Sequence, residues 1–402
     1  ERRIEPGALL VEATAGNTGL ALALAAVRKG YRLLIVVPDK MSREKIFHLK
    51  AMGAEVVLTR SDVTKGHPEY YQDLAARIAR ETPGAFYIDQ FANPANPGAH
   101  EQSTAPEIWE QMGRDVDAVV CGVGTGGTLT GVSRYFARVS PRTEIVLADP
   151  EGSVLAEYVK THALGKEVGT WLVEGIGEDF LPPVCDLSRV GRAYSIPDRD
   201  SFALCRELLR REGILAGTSS GTLLAAALCY CREQSEPKRV VTFVCDSGNK
   251  YLSKAYNDYW MRDQGLLERE RRGDLRDLIS RPHSEHAVAT VSAQETVLAA
   301  YQRMKLYDVS QLPVMKDGTI AGIVDEEDIL LEVIDNPGHF QEPVTEAMES
   351  HLVTVPPDAP VSRLMEIFRR GMVAIVMDGE AFLGLITRID LLNWLRRRMD
   401  KQ

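Results

Sequence analysis

Short apolar runs alternate with amphipathic stretches through the first 245 residues of the chain. Runs rich in Leu, Ile and Val predict strands, whereas apolar residues spaced three and four positions apart predict helices. Apolar strands that alternate with helices are typical of a parallel sheet covered on both faces. The predicted strands are residues 8–13, 31–38, 54–59, 117–121, 144–149 and 240–245, and the predicted helices are residues 18–29, 42–52 (capped by Ser42), 68–81, 129–139, 201–211 and 219–233.

A glycine-rich loop, Gly122-Val-Gly-Thr-Gly-Gly-Thr128, joins one of these strands to a helix. Backbone N–H groups and a helix N-terminus converge at such a junction, which favours binding of a phosphate group. The same glycines fit a dinucleotide fingerprint with Asp149 as the ribose-binding acid, and a turn without ligand is the third interpretation. A P-loop is excluded because no Gly-Lys-Ser/Thr follows the glycines.

Two further strand-to-helix junctions carry small polar residues, Glu12 to Gly19 and Ala216 to Thr222. Ligands bind where strands end and helices begin in open α/β sheets, so hydroxyls, an amide and helix N–H groups here suit a carboxylate ligand. Each stretch is equally compatible with an ordinary helix cap or turn.

Composition narrows the possible partners. With a net charge of -10, 45% hydrophobic and 26% charged residues, the chain is expected to be globular and to bind neither nucleic acid nor an anionic membrane. The six cysteines show no paired spacing and sit in apolar segments, which favours reduced thiols and a cytoplasmic location. We expect no metal site.

An internal repeat follows a charged segment. Gly322-Ile-Val-Asp325-x-x-Asp328 recurs as Gly384-Leu-Ile-Thr387-x-x-Asp390, and each copy predicts the order strand, helix, two strands, helix. The predicted organisation is a catalytic domain over residues 1–262, a charged linker over 263–280, and two repeat domains over 281–337 and 338–402.

Taken together, the three loops resemble the fold type II family of pyridoxal-phosphate enzymes. The resemblance runs from Ile4 to Leu267 and includes Asp89-Gln-Phe-x-Asn-Pro-x-Asn-Pro97, Asp149-Pro-Glu-Gly-Ser153 and Glu174-Gly-Ile-Gly177. The last two segments favour the branch that makes cystathionine over the cysteine-synthase branch. The resemblance implies an α/β fold with parallel twisted sheets flanked by helices, pyridoxal 5'-phosphate as cofactor, and a homodimer or higher homo-oligomer.

The resemblance also implies roles for individual residues. Asn17 matches the residue that binds the phenolic oxygen of the cofactor, and Ser219 matches the partner of the pyridine nitrogen. The phosphate would be held by Gly124, Thr125, Gly126, Gly127 and Thr128. The first substrate would be bound by Thr14, Ala15, Gly16, Thr18 and Gln90, although Ala15 stands where the family often has Ser. The second substrate would be bordered by Gly175, Ile176 and Glu178.

One family feature has no counterpart here. The Schiff-base lysine of the family lies in a Ser-x-Lys-Asp-Arg segment upstream of the asparagine loop, and these 402 residues contain no such segment. Because the chain opens with Glu1 rather than Met, we expect it to be a fragment or a processed product. The catalytic lysine is therefore expected upstream of Glu1, or at a cofactor-modified residue that these 402 residues do not include, and we transfer its role to none of Lys40, Lys45 and Lys50.

The two C-terminal copies resemble CBS domains, which pair into a regulatory module that often binds adenosyl ligands. Thr387 and Asp390 match the ribose-contacting pair of that family, so S-adenosylmethionine or an adenine nucleotide is a candidate regulatory ligand. The same Thr-x-x-Asp spacing is also that of a helix cap. At Asp325 and Asp328, where an acid replaces the threonine, the cap is the favoured interpretation.

The expected activity is a pyridoxal-phosphate-dependent β-replacement that condenses serine, or an activated serine, with homocysteine to give cystathionine. One alternative is a sulfhydrylase that makes cysteine from O-acetylserine or O-phosphoserine. The other is a degenerate enzyme that serves as a sensor of adenosyl nucleotides.

Overall fold

The chain divides into two compact units, residues 1–261 and residues 262–402. The structure, a computed structural model, describes residues 4–14, 16–165, 168–268 and 270–399. Within these residues each helix is too short or too polar to cross a lipid bilayer.

The N-terminal unit contains two four-stranded parallel sheets. The strands of the first sheet are β1 (Leu9–Ala13), β2 (Arg32–Pro38), β3 (Glu55–Thr59) and β4 (Phe86–Tyr87), and those of the second are β5 (Ala118–Gly122), β6 (Glu144–Pro150), β7 (Val190–Ile196) and β8 (Val240–Val241). The helices of this part are α1 (Asn17–Lys29), α2 (Arg43–Ala51), α3 (Tyr71–Glu81), α4 (Ala95–Ala99), α5 (Ala105–Gln111), α6 (Gly127–Val139), α7 (Leu155–Thr161), α8 (Asp198–Glu212), α9 (Thr218–Arg232) and α10 (Asp258–Asp263). The strand orders are β3-β2-β1-β4 and β7-β6-β5-β8.

Both faces of the first sheet are covered, as its apolar strands predict. Successive residues of β2 point to opposite faces, so Leu33 and Ile35 pack in one core with Ala23 of α1 and Leu49 of α2. Leu34 and Val36 pack in the second core with Ala75 of α3. The carboxyl end of β1, from which the loop before α1 leaves, is thereby fixed.

Three local predictions differ from the structure. The strand expected over 240–245 ends at Val241, because the following backbone joins the start of α9: the Gly217 N–H donates to the Asp246 carbonyl. The helix expected from Pro68 begins at Tyr71. Ser42 does precede α2, but its hydroxyl makes no cap hydrogen bond and is buried without a partner among the described residues.

The C-terminal unit confirms the predicted repeat of strand, helix, two strands and helix. The first copy contains β9 (Val291–Ser292), α11 (Val297–Tyr307), β10 (Gln311–Lys316), β11 (Thr319–Asp325) and α12 (Glu326–Val333). The second contains β12 (Thr354–Val355), α13 (Val361–Arg369), β13 (Ala374–Asp378), β14 (Ala381–Ile386) and α14 (Arg388–Met399). Each copy forms a three-stranded sheet with its own apolar core.

Part of the segment assigned to the linker is folded. Leu275, Leu278 and Ile279 are buried in the core of the second copy, beside Leu364 and Val376. The Leu275 N–H also donates to the Pro357 carbonyl at 2.8 Å. Residues 275–279 therefore complete the second copy, although they precede the first copy in sequence.

Candidate active site

The glycine loop between β5 and α6 is shaped by close backbone approaches. A Cβ atom on Gly124 would lie 2.6 Å from the Gly175 carbonyl oxygen, and one on Gly127 would lie 1.9 Å from Asn96 Oδ1. Gly126 has a φ of 85° in the left-handed region and precedes the first turn of α6. Glycine is required at these positions because neighbouring segments lie directly against the loop.

Polar side chains from residues 90–104 surround the two threonines of this loop. Asn96 Nδ2 donates to Thr125 Oγ1 at 2.8 Å and to the Gln90 carbonyl at 2.9 Å. The His100 ring lies 3.2 Å from Thr128 Oγ1 on one side and 3.0 Å from Thr104 Oγ1 on the other. Burial lowers the pKa of His100, so the ring is neutral and links two hydroxyls rather than adding a charge.

The loop between β1 and α1 is tied to Gln90 by a buried carboxylate that sequence reasoning gave no role. Glu12 accepts hydrogen bonds from the Ala13 N–H at 2.8 Å and from the Gln90 N–H at 3.2 Å. Gln90 Nε2 returns a bond to the Ala13 carbonyl at 3.0 Å. Burial raises the pKa of Glu12 to about 7, and the two backbone N–H groups offset only part of that rise.

The predicted first-substrate residues lie along this same loop. Thr14 is buried, and its hydroxyl accepts from the Gly16 N–H at 3.0 Å. Thr18 lies in the first turn of α1. Ala15 lies outside the described residues. The structure thus brings Thr14, Gly16, Thr18 and Gln90 to one end of β1.

The loop that opens α9 is bonded to the chain that follows β8. Ser219 is 4% exposed and lies in the first turn of α9. Ser220 Oγ accepts from the Cys245 N–H at 2.9 Å. Residue 246 then reaches the first loop, since Asn17 Nδ2 donates to Asp246 Oδ2 at 3.0 Å. Asn17 and the loop that carries Ser219 are therefore connected through the dipeptide Cys245-Asp246, which bonds to Ser220 and Gly217 of that loop.

The loop of Gly175, Ile176 and Gly177 packs on the glycine loop, because the Gly177 N–H donates to the Val123 carbonyl at 2.8 Å. The preceding residue, Glu174, is 4% exposed and accepts from Lys45 Nζ at 2.8 Å and Lys254 Nζ at 2.7 Å. Burial alone would raise the pKa of Glu174, but the two ammonium groups lower it below its usual value. Glu174 therefore stays charged.

Glu178 follows this loop, and neighbouring cations neutralise its carboxylate less fully than that of Glu174. Its backbone is fixed by Ser153, whose hydroxyl accepts from the Glu178 N–H at 3.0 Å. Burial raises the pKa of the Glu178 carboxyl well above its usual value, and the nearby Asp179 raises it further, against the opposing charges of Lys40 and Lys65. Glu178 is half-buried, and a carboxyl with a raised pKa is a group that an incoming cation would stabilise in its charged form.

The Asp149 carboxylate accepts a hydrogen bond from the backbone that follows it in sequence. Its Oδ2 accepts from the Ala156 N–H at 2.8 Å, and burial raises the pKa of the carboxyl to about 6. The acid that would bind a ribose in a dinucleotide site lies near the end of β6, where it is completely buried and bonded to the first turn of α7. This geometry favours a structural role for Asp149.

In the C-terminal unit, Thr387 and Asp390 bond to each other. Asp390 Oδ2 accepts from the Thr387 N–H at 2.7 Å and from its hydroxyl at 2.6 Å, while Oδ1 accepts from Ser280 Oγ at 2.5 Å. In the first copy, Asp325 and Asp328 form a complete capping box, which confirms the cap predicted there.

Comparisons with known families match both units. Residues 1–246 match the family described as pyridoxal-phosphate dependent enzyme, and residues 275–335 and 344–397 match the CBS domain.

Some individual relatives match almost the whole chain, and others match only part of it. Cystathionine beta-synthase of Dictyostelium discoideum is 32% identical, covering 99% of this chain and 82% of that protein. Cysteine synthase A of Escherichia coli (strain K12) is 41% identical but covers 63% of this chain and 78% of that protein. A solved structure, the O-acetylserine dependent cystathionine beta-synthase from Helicobacter pylori, is 35% identical with a TM-score of 0.56, covering 61% of this chain and 77% of that chain.

Proposed function

The chain belongs to the pyridoxal-phosphate dependent enzymes, and we propose that it condenses serine, or an activated serine, with homocysteine to form cystathionine. The observation that carries this proposal is the similarity to a cystathionine beta-synthase over 99% of the chain, through both the catalytic unit and the CBS domains. The cysteine synthase relative covers 63% of the chain.

The residues around the glycine loop suit pyridoxal phosphate. The backbone of Gly124 to Thr128, at the start of α6, offers N–H groups and two hydroxyls to a phosphate, and a Cβ at Gly124 or Gly127 would collide with neighbouring segments. When bound, pyridoxal phosphate supplies an electron sink for the negative charge that forms at the substrate α-carbon.

The contacts to the cofactor ring are assigned to two loops. Asn17 is exposed and would donate from its amide to the phenolic oxygen. The Ser219 hydroxyl would meet the pyridine nitrogen, and a hydroxyl is too weak an acid to hold a full proton there. We assign the amine that takes the α-proton to none of the described lysines.

The substrates would enter between the first loop and the Gly175 loop. Thr14, Gly16, Thr18 and Gln90, with Ala15 outside the described residues, would bind the carboxylate of the first substrate through hydroxyl, amide and backbone donors. Gly175 and Ile176 would border homocysteine, and the Glu178 carboxylate would receive its ammonium group. The raised pKa of Glu178 supports this role, since a bound ammonium supplies the positive charge that its surroundings only partly provide.

The CBS domains would regulate this activity by binding an adenosyl ligand, either S-adenosylmethionine or an adenine nucleotide. We assign its ribose to Thr387 and Asp390, because Oδ1 of Asp390 accepts one hydrogen bond, from Ser280, and retains a second lone pair. We further propose a cytoplasmic homodimer or higher homo-oligomer. Buried cysteines that form no disulfide, such as Cys121 and Cys205, support a reducing compartment.

Product analysis of the natural full-length protein tests the substrate assignment. The protein is supplied with serine or O-acetylserine, each with homocysteine or sulfide, and the products are quantified by mass spectrometry. We expect cystathionine from the homocysteine reactions in excess over cysteine from sulfide. Cysteine as the dominant product with both donors would overturn the proposal in favour of a sulfhydrylase, the function that the 41% identity to cysteine synthase A favours as second candidate.

A further inference from the structure

We propose that Asp246 and Lys250 are positioning residues that orient the Asn17 amide so that one of its N–H groups is presented to the phenolic oxygen of the cofactor. The inference rests on the proposed function, since it takes Asn17 as the residue that meets this oxygen. It adds two residues to the site that neither the glycine loop nor the substrate loops include.

The geometry places one charged group on each end of the amide. Asn17 Nδ2 donates to Asp246 Oδ2 at 3.0 Å, and Asn17 Oδ1 accepts from Lys250 Nζ at 2.5 Å. The Lys250 ammonium and the Asp246 carboxylate are themselves 3.7 Å apart. The amide is therefore held between an anion and a cation that also pair with each other.

Only one orientation of the amide is compatible with these partners. A rotation by 180° would put the amide oxygen against the Asp246 carboxylate and the NH₂ group against the Lys250 ammonium, and both contacts would be repulsive. The amide nitrogen carries two hydrogens, and Asp246 takes one of them. The second is the donor that we assign to the phenolic oxygen.

Asp246 is itself fixed, so it transmits a defined position to Asn17. Its side chain is 3% exposed, and Oδ2 also accepts from the Tyr251 hydroxyl at 3.0 Å. Its carbonyl accepts from the Gly217 N–H at 3.0 Å, and a Cβ on Gly217 would lie 1.9 Å from Asp246 Oδ1. Asp246 thus joins the loop that carries Asn17 to the loop that carries Ser219.

Lys250 also has an electrostatic consequence. Its side chain is 18% exposed, and its positive charge lies directly behind the amide that would meet the ring oxygen. A nearby cation favours the ionised form of a phenol. Lys250 is therefore expected to favour the phenolate of the bound ligand, which absorption spectroscopy distinguishes from the neutral phenol.

The experiment measures ligand binding rather than turnover. The full-length protein is titrated with three ligands: pyridoxal phosphate, 4'-deoxypyridoxine phosphate, and the 3-O-methyl derivative of 4'-deoxypyridoxine phosphate. The second and third ligands have no aldehyde and therefore bind without forming a Schiff base. The variants are Lys250→Met, which removes the charge, and Lys250→Arg, which keeps it. Lys238→Met is the matched control, because Lys238 lies 3.7 Å from Asp117 in another ion pair of the same unit.

We expect Lys250→Met to weaken binding of 4'-deoxypyridoxine phosphate about three- to tenfold, the range of one ordinary hydrogen bond. The bound ligand should shift from the ionised toward the neutral phenol spectrum. Lys250→Arg should restore most of the affinity, and Lys238→Met should bind like the natural protein. The 3-O-methyl derivative cannot ionise at the ring oxygen, so Lys250→Met should weaken its binding by no more than about twofold.

Three outcomes would overturn the inference. Lys250→Met with unchanged affinity and spectrum would show that the ammonium does not act on the ring oxygen. An equal loss with the 3-O-methyl derivative would place its effect elsewhere in the site. A loss in Lys238→Met of the same size would make the effect non-specific. Failure of the natural protein to bind either pyridoxal ligand would instead overturn the proposed function.

Discussion

The two ends of the candidate site each contain a buried carboxylate, but the partners of the two carboxylates differ and shift their pKa values in opposite directions. At the first-substrate end, Glu12 is buried with backbone N–H groups as its partners, and the pKa of its carboxyl is raised to about 7. At the second-substrate end, Glu174 is equally buried, but Lys45 and Lys254 lower its pKa.

The difference shows that partners rather than burial decide whether a buried carboxylate titrates near neutrality. Two ammonium groups keep Glu174 charged at all ordinary pH values, so the Gly175 loop that follows it is fixed independently of pH. Glu12 lacks such a partner in the described part of the chain, so the link between the first loop and Gln90 changes protonation close to pH 7. Two substitutions test this contrast directly, and two more test the packing of neighbouring segments.

The largest effect is expected from Glu174→Gln. The substitution leaves Lys45, whose side chain is 3% exposed, without an anion, and breaking a buried ion pair in this way costs about 3–5 kcal/mol. Chemical denaturation should show that loss in the free energy of unfolding. Glu110→Gln is the control, since the Glu110–Arg114 pair is exposed and should contribute less than about 1 kcal/mol. Similar losses in both variants would refute the contrast.

Glu12→Gln should alter the pH dependence of stability. The folded-state pKa of about 7 lies above the usual value of 4.5, so the protonated carboxyl contributes stability that is full below pH 4.5 and is lost as the pH rises through 7. The difference between these two pKa values corresponds to about 3 kcal/mol in the free energy of unfolding. Unfolding measured between pH 4 and pH 8 should therefore show the natural protein losing about 3 kcal/mol more than the variant. Asp149 titrates in both proteins, so its contribution cancels when their pH profiles are compared. Parallel pH profiles of the natural protein and Glu12→Gln would contradict the prediction.

Gly127→Ala tests the contact between the glycine loop and the segment that contains Gln90. The new methyl group would lie 1.9 Å from Asn96 Oδ1, so Asn96 must move away from Thr125. We expect binding of pyridoxal phosphate to weaken about tenfold, equivalent to about 1.4 kcal/mol. Gly191→Ala is the control because a Cβ there meets no atom within 4 Å. Unchanged affinity in Gly127→Ala would mean that the loop tolerates a side chain.

The smallest effect is expected from Ser42→Ala at the start of the helix that carries Lys45. The Ser42 hydroxyl is buried without a hydrogen-bond partner in the described structure, so removing it should leave stability unchanged or raise it by about 1 kcal/mol. Thermal or chemical denaturation measures the change. A loss above about 1 kcal/mol would show that the hydroxyl has a bonding partner such as a bound water.

The sequence pattern predicts the central strands well because they are buried on both faces. Strands β2, β5 and β6 are mostly apolar runs, and their observed bounds differ from the predicted ones by one residue, at one end for β2 and β6 and at both ends for β5. Strand β7 escaped prediction because Gly191, Arg192 and Ser195 interrupt its apolar residues, as the edge position of this strand allows.

Several residues of the site could not be recognised locally. Lys45 and Glu174 are 129 positions apart, and Asn17 and Asp246 are 229 apart, so neither pair leaves a spacing signal. Lys45 lies within a charged helix, and its burial follows from tertiary packing alone. The glycines between β5 and α6 were recognisable because they occur together within one short stretch of the sequence.

The most direct test of the account is an absorption titration of the full-length protein with pyridoxal phosphate, followed by serine and then homocysteine. The account predicts saturable binding of the cofactor, a spectral change on addition of serine, and reversal of that change when homocysteine is added and cystathionine accumulates. A protein that does not bind pyridoxal phosphate, or that binds a nicotinamide dinucleotide at the glycine loop instead, would contradict it.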